Sequence, residues 1–249
     1  MAEHILFVFE GEKTEHIIAD SLLRFFIGID DEKIVIKSSY KTDVYGLYQQ
    51  VKDDQFIDIF ELIKERDSSL AGYSRDKFSQ IYIFFDYDGH SHRADDEHLD
   101  ELISFFNEET ENGKLFISYP MVECLRFISE LSMDSGFVCE QVKIADCVNF
   151  KKTVHETAAV NFRDVTSYGP REWGLLVNLH CKKAKFIVDG KLEFPLDRLI
   201  SQGEIFDKQK TGHIDVNQEV SVLSAFPLVV LDYYGSAKTH EMLLQYITH

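Results

Sequence analysis

Two uninterrupted apolar runs fix most of what this chain can become. Ile5-Leu6-Phe7-Val8-Phe9 and Ile81-Tyr82-Ile83-Phe84-Phe85 are β-branched and aromatic with no polar alternation, the pattern of strands covered on both faces in a parallel sheet. Ile34-Val35-Ile36 and Leu115-Phe116-Ile117 are shorter runs of the same character. Between them apolar residues recur at helical spacing: Ile18, Leu22, Phe25 and Phe26; Phe56, Ile59, Phe60 and Ile63; Leu99, Leu102, Ile103 and Phe106. This alternation predicts an α/β fold, a parallel sheet flanked by helices with right-handed crossovers. After Pro120 strand-like runs become rare and helical periodicity continues through 121–132, 172–183, 219–226 and 238–247. The chain therefore divides into an α/β domain over residues 1–130 and a mainly helical region over 131–249, which would serve substrate, dimer or partner contacts. Asp189-Gly190 between apolar residues of 186–192 reads as a hairpin turn.

The placement of acids relative to these strands carries the chemistry. The first strand ends in Glu10-Gly11, the third in Asp86-Tyr87-Asp88-Gly89-His90, and the fourth runs into Ser118-Tyr119-Pro120 with Glu123 three residues on. In an open parallel sheet the functional crevice lies beyond the carboxyl ends of the strands. A lone Glu at a strand end is usually a solvated surface residue, and a lone D-x-D-G is usually a turn. The joint pattern, an acid after each of several apolar strands, is what points to function. Carboxylates sharing a crevice repel one another and need a shared proton or a bound cation, and oxygen ligands favour a hard ion, Mg²⁺ or Mn²⁺. Alternation along an extended chain would aim Asp86 and Asp88 to the same side.

Charge agrees with that reading. The chain carries 26 Lys+Arg against 43 Asp+Glu, net −17. Residues 1–120 hold 12 basic and 26 acidic residues, whereas 121–249 hold 14 and 17, so the first half would approach a polyanion only with divalent cations present. No apolar stretch nears the roughly 18 residues of a membrane helix, and the first residues lack a signal-peptide layout; a soluble, cytoplasmic protein is expected. Cys124, Cys139, Cys147 and Cys181 form no C-x-x-C pair, which excludes a zinc ribbon. Gly169 and Gly174 have P-loop spacing, but Leu175 stands where Lys is needed. Any nucleotide-driven motor would be another chain.

The segment Phe7-Val8-Phe9-Glu10-Gly11-Glu12-Lys13-Thr14-Glu15, followed by Ile81 to His90, resembles the two motifs of the Toprim domain. Ile117-Ser118-Tyr119-Pro120-Met121-Val122-Glu123 resembles the Ser/Asn-x-Pro-x-x-Glu element of Toprim proteins of the RloB and abortive-infection kind, the PARIS defence nuclease among them, within a family that also holds the OLD nucleases. The likeness covers about residues 4–130. It implies a metal-dependent endonuclease acting as the toxic effector of an anti-phage system, with tRNA favoured over DNA as substrate and a partner ATPase that restrains or targets it. A homodimer is a further implication. Glu10 would be the general acid/base or a metal-adjacent acid, Asp86 and Asp88 the metal holders, and Glu123, with Glu15, their support. His90 stands where the family's usual third acid stands. With His92 it is read as a proton carrier, a phosphate binder or an exposed loop residue.

In the second half Lys182, Lys183 and Lys185 end a predicted helix. They either offset its dipole or track phosphate together with Lys151-Lys152 or with Lys208 and Lys210. Tyr168 and Trp173 are core or base-stacking residues, and Phe226 to Leu231 is core or a dimer face. Two other functions compete. Phe84-Phe85-Asp86-Tyr87-Asp88-Gly89 also resembles the nucleophile motif of haloacid dehalogenase phosphatases, with Asp86 attacking phosphorus and Asp88 as acid/base, although His90 replaces the usual Thr. A non-catalytic Toprim scaffold that only binds a partner is the third.

Overall fold

The computed structural model describes residues 4–27, 33–52, 57–129 and 136–248; Phe56 lies outside them. The apolar runs form β1 (His4–Phe9), β2 (Ile34–Ser39), β3 (Phe78–Asp86) and β5 (Gly113–Ser118), with a two-residue β4 (Asn107–Glu108). They make one five-stranded sheet in the order β2-β1-β3-β5-β4. All pairings are parallel except β4 with β5. Register pairs Phe7 with Tyr82 and Phe9 with Phe84 across β1 and β3, and Phe84 with Phe116 across β3 and β5. One face of the sheet is therefore an aromatic layer, and β1 to β3 is the place where the winding direction reverses.

The interleaved helices are α1 (Thr14–Leu23), α2 (Val44–Val51), α3 (Ile59–Arg66) and α4 (Asp96–Phe105). Asp43, Asp58 and Asp95 accept backbone N–H groups at the starts of the last three, satisfying donors that a helix leaves free.

The rest of the chain comprises α5 (Phe150–Thr157), α6 (Pro170–Asp189), α7 (Gln202–Gln209), α8 (Asp215–Asn217) and α9 (Ala225–Thr248), with a short antiparallel pair β6 (Gln141–Lys143) and β7 (Glu219–Ser221). It is mainly helical, as expected, with two local differences. Residues 219–226 supply β7 and only the start of α9, and the helical spacing after Pro120 produces a short 3₁₀ turn, Val122–Arg126. In α9 Gly235 adopts φ 76° and kinks the helix.

The expected hairpin at Asp189-Gly190 is absent. Gly190 has φ 71° and donates its N–H to the Phe186 carbonyl at 2.8 Å, ending α6 in a left-handed cap. Glycine tolerates positive φ in a helix stop as well as in a hairpin, so the same residue suits both. Gly190→Ala should lower stability by about 1 kcal/mol, read as a shifted urea midpoint with unchanged slope; an unchanged midpoint would remove the cap's role.

Both parts of the chain share one hydrophobic core. Phe226 of α9 stacks on Phe84 with centroids 4.8 Å apart and on Phe9 at 5.9 Å, covering the aromatic layer. Phe226 to Leu231 is buried within the chain, so the dimer-face alternative does not apply there. Trp173 and Tyr168 are also core. The Trp173 indole N–H donates to Ser21 Oγ at 3.0 Å, and Tyr168 O–H donates to the Phe162 carbonyl, which leaves neither ring free to stack a base. Among the described residues no helix is long and apolar enough to cross a membrane.

Candidate active site at the carboxyl edge of the sheet

Each acid arrives at the crevice by the way its strand ends. β1 is gripped from both sides: Glu10 N–H donates to the Phe84 carbonyl at 3.1 Å, and Tyr40 N–H donates to the Phe9 carbonyl at 2.7 Å. The chain then turns at Gly11, whose N–H donates to Glu15 Oε1 at 2.9 Å. A Cβ at Gly11 would lie 2.9 Å from the Glu15 carboxylate oxygens, so a larger residue there would push that carboxylate aside. Glu15 is buried and is spent on this turn.

β3 ends with Asp86 N–H donating to Glu10 Oε2 at 3.2 Å, which places the first and third strands' acids side by side at the switch point, where ligands of doubly wound sheets bind. Tyr87 N–H donates to the Ser118 carbonyl at 3.0 Å and Asp88 N–H to the Pro120 carbonyl at 3.2 Å. The strand-three turn is thereby fastened to the segment after β5, which carries Glu123. Asp88 has φ 44°, so the extended alternation expected to align it with Asp86 ends at this residue.

Electrostatics couples the acids of the group. Burial pushes Glu10 up to about 8, with Asp88, Glu15 and Asp43 adding repulsion and the Asp86 N–H opposing it. Burial, then Glu10, Asp88 and Glu15, hold Asp86 well above the usual carboxylate range. Burial also raises Asp88, His90 lowers it, and Asp43 and Glu123 raise it. Neighbouring carboxylates of this kind favour shared protons or a bound cation. Glu123 is buried and ion-paired, its Oε1 lying 2.9 Å from Lys151 Nζ.

Glu10, Asp86, Asp88, Glu15 and Glu123 thus lie together at the carboxyl edge of the sheet. Among the described residues no three or more His, Cys, Asp or Glu side chains are arranged to hold a metal as they stand. Glu15 faces the Gly11 N–H and Glu123 faces Lys151. The donor set still suits a hard divalent ion: it is all carboxylate, it carries unrelieved repulsion, and an ammonium already sits against Glu123 as a stand-in cation. His90 is exposed, its Nδ1 3.9 Å from Asp88 Oδ1.

Asp43 escaped the sequence reading. It follows β2 by four residues, caps α2 by accepting the Gly46 N–H at 2.7 Å, and pairs with Arg93. The rule that located the other acids, position beyond a strand's carboxyl end, applies to it as well.

The lysine patch is a correction. Lys183 is buried, donates to the Phe137 and Glu140 carbonyls at 2.9 and 2.7 Å, and is pulled down to about 7 by burial. Lys185 is occluded among Asp189, Glu193 and Asp197. Only Lys182 of the three reaches the surface, in a cleft with Leu192, Phe194 and His240. Burial against carbonyls and acids within the chain takes Lys183 and Lys185 out of any phosphate track.

Fold and site together define a doubly wound α/β protein with a cluster of carboxylates beyond the carboxyl ends of its strands at the switch point. Comparison with family models, with curated proteins and with solved structures yields no match.

Proposed function

We propose that the chain is a Toprim-type, metal-dependent endonuclease. The observation that carries the reading is the direct contact of Asp86 N–H with Glu10 Oε2, which joins the acid after β1 to the D-x-D turn after β3 while Asp88 and Glu123 stand within electrostatic reach. Asp86, Asp88 and Glu123 would hold Mg²⁺ or Mn²⁺, and such an ion supplies charge neutralisation at a phosphodiester and a more acidic water. Glu10, whose carboxyl burial pushes up to about 8 in the metal-free chain, would take up or return a proton at its carboxylate oxygen. Gly11 and Gly89 keep the two turns narrow, and Glu15 fixes the first of them through Gly11. The resemblance in the motifs extends the proposal to a toxic effector of anti-phage defence, with tRNA favoured over DNA and a partner ATPase supplying the trigger.

The test is a cleavage assay. Wild type and Glu10→Ala are incubated with total tRNA, plasmid or single-stranded DNA, each with Mg²⁺, Mn²⁺ or EDTA, and resolved on denaturing gels. Cleavage that requires both a divalent ion and Glu10 is expected. Equal cleavage by Glu10→Ala, or cleavage undiminished in EDTA, would reject the proposal.

A further inference from the structure

We propose that Lys151 is the resident counter-ion of the acidic crevice and that a divalent cation must displace it from Glu123 to enter. The inference rests on the reading of the crevice as a cation site. Lys151 is the second residue of α5, in the second part of the chain, whereas Glu123 follows β5 on the far side of Pro120. The lysine side chain is 71% exposed and the Glu123 side chain only 5%, yet Nζ lies 2.9 Å from Oε1.

An exposed lysine held in one geometry gives up side-chain freedom, so the pairing needs a strong reason. The reason is the carboxylate: a buried, ionised acid is costly without an opposite charge, and Lys151 makes the one ion pair to Glu123 among the described residues. The neighbouring cations are committed elsewhere. Arg93 pairs with Asp43, Lys41 with Glu12 at 2.8 Å, and Lys152 with Glu156 on its own helix at 3.9 Å. Glu123, after Asp43, also presses on Asp88, so the ammonium offsets one of the charges that face the D-x-D turn. A divalent ion shared by Asp88 and Glu123 would face that ammonium directly. Tethered at the mouth by an exposed stem, Lys151 is free to swing to water when displaced.

The measurement is calorimetric titration of the full chain with Mn²⁺ alone, needing no substrate and no activity. Lys151→Met should bind Mn²⁺ about fivefold more tightly than wild type, the scale of one unit charge at contact in a hydrated site. Lys151→Arg should match wild type, and the gain should vanish when Lys151→Met is combined with Glu123→Gln. Unchanged or weaker binding by Lys151→Met, alongside loss of binding in Asp86→Asn, overturns the role of Lys151 and leaves the crevice reading intact. Wild-type affinity in Asp86→Asn, or no Mn²⁺ binding by wild type, overturns that reading and this proposal with it.

Discussion

Under the proposed nuclease function, Asp86→Asn will cleave nucleic acid at least about a thousandfold more slowly than the parent chain and will melt at a higher temperature at pH 8 without divalent ions. The two halves of the result have one cause. Asp86 lies beside Glu10 and near Asp88 and Glu15, and its carboxyl is held well above the usual range by burial and by those charges. The proposed function needs the charge, whereas burial and the neighbouring acids oppose it in the cation-free fold. An amide keeps the shape, can still accept the Val122 N–H, and ends the repulsion. Cleavage rates on the substrate that wild type cuts, paired with thermal melts in EDTA, check both halves. Undiminished cleavage would remove Asp86 from the chemistry. A lower melting temperature would show its charge to be stabilising instead.

The second large effect is on stability against pH. Glu10 has a folded value of about 8 against an ordinary 4.5, so between these values the folded state holds the proton that the unfolded chain releases. Its contribution is full below pH 4.5 and is lost as pH rises through about 8. Glu10 and Asp86 titrate as a pair, and after allowing for partial exposure the loss is on the order of 2–4 kcal/mol for the two together. His180 and Lys183, pulled down to about 3 and about 7 by burial, act in the opposite sense. The clean quantity is therefore the difference in slope between wild type and Glu10→Gln, measured by urea unfolding from pH 5 to 8.5 in EDTA. Wild type should lose stability relative to the variant as pH rises, and Mn²⁺ should restore more of it at pH 8 than at pH 6, since ionised carboxylates bind the ion. Parallel slopes would mean that Glu10 titrates normally.

The strands were legible because burial on both faces leaves no room for polar alternation, and Phe7, Phe9, Tyr82 and Phe84 do form one aromatic layer. Glu10, Asp86, Asp88 and Glu123 were legible because parallel strands point their carboxyl ends to one edge. Asp43 was not, since an aspartate four residues past a strand and just before a helix has a sufficient explanation as a cap. The Asp189-Gly190 turn was misread because positive φ serves two structures. Lys183 was misread because the groups that bury it, the Phe137 and Glu140 carbonyls, lie more than forty residues away, beyond any local pattern. The second part's attachment to the first was equally invisible: Tyr119 and Leu223 exchange backbone hydrogen bonds at 2.8 and 2.9 Å, and nothing near either residue announces the other.

The seating of Phe226 on Phe9 and Phe84 also sets a schedule for biosynthesis. The ribosome delivers β1 and β3 long before α9, so the aromatic face of the sheet stays bare until residues 225–248 have been made. Tyr119, at the foot of the segment that fastens Asp88, likewise waits for Leu223. A nascent chain thus carries every acid of the rim, with the partners of the Asp86–Glu10 and Asp88–Pro120 bonds already made, before α9 exists to cover the aromatic face of their sheet.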